Sequence, residues 1–496
     1  MSENRIQKKV AGDLRAPINS PDVVARRSTA TLKQIAPVYF CLCALFVSNL
    51  SIANAADRPN VLFIAIDDLN DWVGHLDGHP QSKTPNIDRL AGIGVSFTKA
   101  YCNAPLCNPS RVSLFSGILP SNSGVYGNGE MMRDKIPEAV TLMQYLSEAG
   151  GYSVQGGGKM FHGTSPYDLA SWDYYNLPSR SRQAGKRDEG LAKDAWAPWG
   201  PLDVDDSEMF DVKNVNWAIS ELEKSHDKPF FLACGFTKPH MPWYVPQKYF
   251  DMHPLEGIEL PDTIDNDRGD LPEWGKRFAR EVHDVSGARN FATHGEDHDM
   301  VLKHKQWPRA VQSYLATISF VDAHVGRLLD TLDKSDHAEN TIIVLWGDHG
   351  WHLGEKQHWR KHALWEVTTR TTLVIAGPVG VKDNQLCERP VSLIDLYPTI
   401  LDLCGLPSRD GLDGQSIAPL LKNPKRNWER PVLTTFGYQN HAIRTERWRY
   451  IRYVDGGEEL YDHNADPNEW TNLAGNSEFT DVISKLKQTM PKENRK

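Results

Sequence analysis

The chain has 496 residues, 40% of them hydrophobic, with both signs of charge and a net charge of −9. That length suffices for a large core and more than one domain, and the composition is that of a soluble globular protein. The acidic balance lends no support to nucleic-acid binding, so attraction for an anionic ligand must come from a few basic residues gathered locally.

Residues 1–56 read as a signal peptide or leader. Arg26, Arg27 and Lys33 precede an apolar run over 36–47, and Ala53-Asn54-Ala55 offers small residues where a signal peptidase cuts. An uncleaved anchor competes with this reading, but the run is short for a span of about 20 residues. No stable membrane span is expected, and the mature chain is expected to be periplasmic or extracellular. The one Asn-x-Ser/Thr sequon, Asn49-Leu50-Ser51, lies inside the leader, which favours a bacterial exported protein over a lysosomal glycoprotein.

Beyond the leader, 61–66 is a continuous apolar run, as in a strand buried on both faces. Residues 141–149 read as a helix stopped by Gly150-Gly151. Further buried strands are expected at 230–234, 341–345 and 373–375. Helical spacing of Leu315, Ile318, Val321, Val325, Leu328, Leu329 and Leu332 marks 311–332 as a core helix with no chemistry implied. Strands alternating with helices predict an α/β fold with a large, mostly parallel sheet covered on both faces. The character changes near 422–425, giving a catalytic domain over 57–425. Short strand-like pieces at 432–435 and 448–453 and a final helix then form a small subdomain over 426–496. Two irregular stretches, 173–201 with the basic residues Arg180, Arg182, Lys186 and Arg187, and 262–307, read as surface loops.

Of the seven cysteines, Cys41 and Cys43 leave with the leader. Cys102, Cys234, Cys387 and Cys404 allow disulfides in three connectivities, although Cys234 sits in an apolar run and reads as a buried free thiol. Cys107 stands apart, in Cys107-Asn108-Pro109-Ser110-Arg111. Pro109 is expected to start a helix with Asn108 as its cap. Cys107 then lies just ahead of a helix N-terminus that favours an anion, with Arg111 adding positive charge a turn later.

Two acidic pairs frame this nucleophile. Asp67-Asp68 follows the first buried strand, and Asp348-His349 follows the strand at 341–345. Ligands of open parallel sheets bind at the carboxyl ends of strands. Three carboxylates arriving there would repel one another without a cation, and hard oxygen donors in a flexible mixed set suit Ca²⁺. Read singly, each pair is as well explained by a turn or a helix cap.

The string Cys107-x-Pro109-Ser110-Arg111 resembles the signature of the sulfatase family, within the alkaline-phosphatase-like superfamily, and the resemblance runs from Arg58 to about Leu473. It is nearest to the iduronate-2-sulfatase-like branch, which carries histidine where this chain has His349. The resemblance implies an alkaline-phosphatase-like α/β fold with a small C-terminal α+β subdomain, an antiparallel sheet plus one helix. It implies Ca²⁺ held by Asp67, Asp68, Asp348, His349 and residue 107, and a formylglycine derived from Cys107 by a formylglycine-generating or sulfatase-maturing enzyme. Arg111, Lys159, His162, His240 and Lys361 match the family's active-site basic residues.

In that scheme one hydroxyl of the hydrated aldehyde attacks sulfur. His240, assisted by Lys361, protonates the departing alcohol. His162 takes the proton from the second hydroxyl as sulfate leaves. The implied substrate is a sulfated saccharide. A phosphate or phosphonate ester hydrolase of the same superfamily and a non-catalytic glycan-binding relative are the competing readings. His75, His79, His352, His358 and His362 read as pocket lining or surface, and Trp243-Tyr244 as packing or a sugar-stacking pair.

Overall fold

A computed structural model describes residues 58–162, 168–177, 199–280, 297–378, 381 and 383–496. The leader and the basic patch at 180–187 lie outside the described residues, and no described helix is long and apolar enough to cross a membrane.

The central element is strand Asn60–Asp67, every residue of which is buried. Its even residues Leu62, Ile64 and Ile66 enter one apolar layer, with Val212, Val215 and Leu222 of helix Phe210–Leu222 and Leu315, Ile318 and Val321 of helix Trp307–Asp333. Its odd residues Val61, Phe63 and Ala65 enter the opposite layer, with Val112 and Phe115 of helix Cys107–Ser116 and Leu142 and Leu146 of helix Leu142–Glu148. The two-residue period of a strand thus makes this continuous apolar run serve two helical layers.

Across the eight-stranded sheet the order is Gln385–Cys387, Gly94–Phe97, Leu373–Ala376, Thr341–Gly347, Asn60–Asp67, Phe230–Pro239, Ser153–Gly158 and Tyr174–Asn176. Asn60–Asp67 pairs in parallel with both Phe230–Pro239 and Thr341–Gly347. Leu373–Ala376 is the exception, antiparallel to both of its neighbours. Four parallel strands therefore end along one sheet edge, with Asp67, Asp348, His240 and Lys159 at or just beyond their last residues.

Helix Leu142–Glu148 starts on a capping box between Thr141 and Gln144, the reciprocal pairing that satisfies two orphan amides. The C-terminal strands Val432–Thr435, His441–Arg444, Trp448–Arg452 and Glu458–Asp462 form an antiparallel meander. Ile443, Tyr450 and Leu460 pack on Ile483 and Leu486 of helix Thr480–Lys487. The alternate residues Ala442, Ile451 and Tyr461 join Leu106, Phe278, Leu364 and Trp365. The meander is thereby seated beside the segment that carries Cys107.

Two expectations change. Cys102, Cys107, Cys234, Cys387 and Cys404 are all buried free thiols, so the disulfides the sequence allows do not form among them. Three of them are engaged separately: Cys234 with Asn214 Nδ2 at 3.3 Å, Cys387 with the Pro424 carbonyl at 3.5 Å and Cys102 with the Thr368 carbonyl at 3.9 Å. The helix after Leu106 also begins earlier than Asn108-Pro109 predicts, with Cys107 as its first residue and Leu106 at the cap position. Asn108 does not cap it. Its amide donates instead to Asn128 Oδ1 at 3.1 Å, and its side chain donates to the Gly127 and Glu130 carbonyls at 2.9 and 2.7 Å. The cap comes from a loop about twenty residues on.

Candidate active site

Cys107 is fully buried in the first turn of its helix, where unpaired backbone amides favour negative charge. Around its Sγ stand Lys361 Nζ at 2.9 Å, His349 Nε2 at 3.4 Å, Lys159 Nζ at 3.6 Å and Asp68 Oδ1 at 3.9 Å. One metal-sized group of ligand atoms is formed by Asp67, Cys107, Asp348 and His349, and an overlapping one by Asp67, Asp68, Cys107 and His240; within each, the atoms lie within 4.8 Å of one another.

The carboxylates are fixed from several sides. Arg111, one turn beyond Cys107, donates from Nε to Asp348 Oδ2 at 2.8 Å and lies 3.4 Å from Asp67 Oδ1. Its remaining reach goes to the Lys159 and Met160 carbonyls. Lys159 Nζ bonds Asp67 Oδ2, and Lys361 Nζ bonds Asp68 Oδ1 at 2.8 Å. The Asp68 amide donates to Asp348 Oδ1 at 2.9 Å, linking the two acidic pairs directly. Asp68 holds a left-handed φ of 60°, which turns the chain sharply at the strand end.

Three carboxylates face three permanent cations, yet the carboxylates are not alike. Burial opposes ionisation of Asp348, but Arg111 above all, with the two lysines, holds it well below the usual carboxylate range. Burial likewise works against Asp67, and Lys159 outweighs it, so Asp67 is also held low. At Asp68 burial wins over Lys361, with Asp67 and Asp348 adding repulsion, and its carboxyl is pushed up. Asp68 Oδ2 is buried with no hydrogen-bond partner.

His349 is neutral, because burial lowers its pKa. Its Nδ1 faces the Gly350 carbonyl at 3.0 Å, so a proton there leaves the Nε2 lone pair turned toward Cys107 and the carboxylates. An orphaned buried carboxylate oxygen, two further carboxylates and an oriented imidazole are a donor set that fits a hard divalent cation. The neutral imidazole adds a nitrogen donor to the oxygens.

The remaining basic residues are placed unequally. His240 Nε2 lies 3.9 Å from Asp68 Oδ2 while Nδ1 bonds the Met241 carbonyl. Burial, reinforced by Lys159 and Lys361, holds this ring well below the ordinary histidine range. His162 lies three residues beyond Lys159, half-buried, with Nδ1 unpartnered. No bond joins it to the cluster among the described residues.

Sequence reasoning left out Tyr314. The helix expected to carry no chemistry places its hydroxyl where it donates to the Asp68 carbonyl at 2.7 Å and accepts from the Asn70 amide at 3.1 Å. The trace of this in the sequence is a tyrosine in line with the aliphatic residues Ile318, Val321 and Val325. Ser110 has no role legible in the sequence beyond its place in Cys107-x-Pro109-Ser110-Arg111. Its hydroxyl donates to the Asp348 carbonyl at 2.6 Å. Trp243 is packing, stacked on Trp199 with ring centroids 5.5 Å apart.

Known proteins share both the sequence and the frame. The sulfatase family model matches residues 59–406, and the model of the C-terminal part of N-sulphoglucosamine sulphohydrolase matches 354–496. A sulfatase of Formosa agariphila is 37% identical over 89% of this chain and 88% of its own length. The iduronate 2-sulfatase of Homo sapiens is 32% identical over 74% of this chain and 72% of its own. Among solved structures, the phosphonate monoester hydrolase of Agrobacterium radiobacter superposes with a TM-score of 0.72 at 23% identity, covering 87% of this chain and 94% of that one, a likeness of fold. With the sulfatase model covering most of its length and a relative 37% identical over 89% of it, the chain belongs to the sulfatase family, whose members hydrolyse sulfuric esters.

Proposed function

We propose that the chain is an exported hydrolase of sulfate esters on sulfated carbohydrates, of iduronate-2-sulfatase type. It works with Ca²⁺ and with a formylglycine made from Cys107 by a maturing enzyme. The observation that carries this reading is the charge balance around Cys107. Asp67, Asp68 and Asp348 are matched by Arg111, Lys159 and Lys361, so one added divalent cation makes the site positive. A site of that sign draws and holds an anionic sulfuryl group in a molecule that is acidic overall.

Asp67, Asp68, Asp348, His349 and residue 107 would hold Ca²⁺, which supplies Lewis-acid polarisation of the sulfuryl oxygens. Residue 107, once oxidised to the aldehyde and hydrated, would supply two hydroxyls, one to attack and one to expel sulfate, which a thiol lacks. Lys159 and Lys361, both beside Cys107 Sγ, bind the sulfuryl oxygens and withdraw charge from sulfur. Arg111 keeps Asp348 ionised and oriented.

His240 Nε2 is the nitrogen turned to the site. An anion set against Lys159 and Lys361 offsets two of the charges that keep this ring neutral. Substrate binding thus raises its hold on the proton it hands to the departing alcohol. The unpartnered Nδ1 of His162 is assigned to the proton of the second hydroxyl.

The other positions around Cys107 are filled by lysines and an arginine, which repel a second metal ion, and this favours sulfate over a two-metal phosphate reaction. The test is turnover of paired aryl esters. Sulfate should be released from the aryl sulfate much faster than phosphate from the aryl phosphate. The reverse preference would assign the site to phosphate esters, and no release from either would leave the non-catalytic glycan-binding reading. A panel of sulfated disaccharides then identifies the sugar and the sulfate position.

A further inference from the structure

Lys361 enters the site on a loop that is held in an unfavourable backbone conformation. In 356–362, Lys356, Gln357, Arg360 and His362 all have left-handed φ, from 50° to 77°, and none is glycine. Lys361 is flanked on both sides by such residues. Left-handed non-glycine backbone persists only where neighbouring groups impose it.

The group at the centre of this loop is His358. It is fully buried, and its Nε2 lies 2.9 Å from the carbonyl of Lys361. Nδ1 lies 3.1 Å from the carbonyl of Ala279, the last residue of helix Glu273–Ala279. The ring is wedged edge-on between His352 and Trp365, at centroid distances of 4.8 and 5.9 Å. Burial pushes its pKa down to about 4, so the ring is neutral and carries one N–H. A neutral imidazole donates to one carbonyl only.

Resting on the sulfate-ester reading above, we infer that His358 is a positioning residue for Lys361: its Nε2–H holds the Lys361 carbonyl and so aims Nζ at residue 107 and Asp68. Beyond that backbone contact, the Lys361 side chain stands over the Trp351 ring, with Nζ 5.6 Å from its centroid. Its Nζ is 2.8 Å from Asp68 Oδ1 and 2.9 Å from Cys107 Sγ, both within the reacting centre itself. The flanks are tied elsewhere, Arg360 to Asp297 at 2.9 Å and the His362 amide to the Pro105 carbonyl at 3.3 Å. Between them, the His358 contact fixes the rotation of the Lys361 peptide.

Three substitutions test this on an aryl sulfate. His358→Phe keeps a ring and removes both nitrogens. His358→Gln returns a donor within reach of the Nε2 position, and His358→Asn one within reach of the Nδ1 position. The expected result is a kcat loss of about 10- to 100-fold in His358→Phe, the size of effect that displacement by about 1 Å produces, with KM little changed. Gln restores most of it and Asn does not. In a Lys361→Ala background, His358→Phe should cost nothing further.

Equal behaviour of Gln and Asn would overturn the assignment, even if His358→Phe fails to fold. So would full kcat in His358→Phe, or an undiminished loss in the Lys361→Ala background. Those outcomes, in an enzyme that releases sulfate, leave the functional reading standing. An inactive wild type would overturn that reading and this inference with it.

Discussion

At the scale of single residues, the site is organised by how few groups touch Cys107 and how completely they are buried. Lys361, His349, Lys159 and Asp68 surround the sulfur, and Cys107 itself is fully buried. Its substitution therefore tests chemistry with little disturbance of packing. Cys107→Ser and Cys107→Ala should abolish turnover while thermal unfolding stays within a few degrees of wild type. Wild-type-like turnover in either variant would refute the role given to residue 107.

Much of this neighbourhood was legible in the chain. The acidic pairs each follow a buried strand, and parallel strands deliver their ends to one edge. Tyr314 was not legible, because a hydroxyl that reaches the Asp68 carbonyl looks like any core tyrosine until the helix is seen crossing that strand end. Nor was His358, whose meaning lies in two carbonyls 79 and 3 residues away.

At the scale of elements, apolar runs marked the strands well, since burial on both faces leaves no alternation to misread. Direction was not marked. Leu373–Ala376 reads like its neighbours but runs antiparallel to both, a choice set by the chain that connects it. Helix starts were the weaker reading, because the cap of the Cys107 helix comes from Asn128.

A similar tertiary cap carries a pH prediction. Asp322, buried in helix Trp307–Asp333, accepts from the Asn86 and Ile87 amides at 3.0 and 2.8 Å and so caps helix Pro85–Gly92. Burial pushes its pKa up to about 6. A folded-state pKa above the unfolded value means that the folded state binds the proton more tightly. Its contribution to stability is present below about pH 4 and is lost as pH rises toward 6, by on the order of 3 kcal/mol. Asp322→Asn removes that dependence. Denaturation midpoints of the variant should gain on wild type between pH 4 and 7, and parallel curves would contradict the assignment.

At the scale of the whole molecule, one apolar strand divides two helical layers, and a C-terminal meander closes over the segment bearing Cys107 through Phe436, Tyr453 and Tyr461. Glu366 and Glu469 reinforce that seam. Arg444 lies 3.0 Å from Glu366 and Arg449 2.6 Å from Glu469. A cation held by the native cluster alone stabilises the entire fold by mass action. Calcium should raise the unfolding temperature of chelator-treated protein in a concentration-dependent way and restore its turnover. Unfolding that ignores calcium over the range in which activity returns would contradict the donor set assigned here.

The central claim, that an oxidised side chain beside a divalent cation does the chemistry, is tested most directly by the mass of the tryptic peptide 100–111 from a preparation that releases sulfate. The peptide should be lighter than its unmodified counterpart by the difference between a thiol and an aldehyde at residue 107, with Cys102 unchanged. A fully active preparation whose peptide carries only the intact thiol would contradict the account.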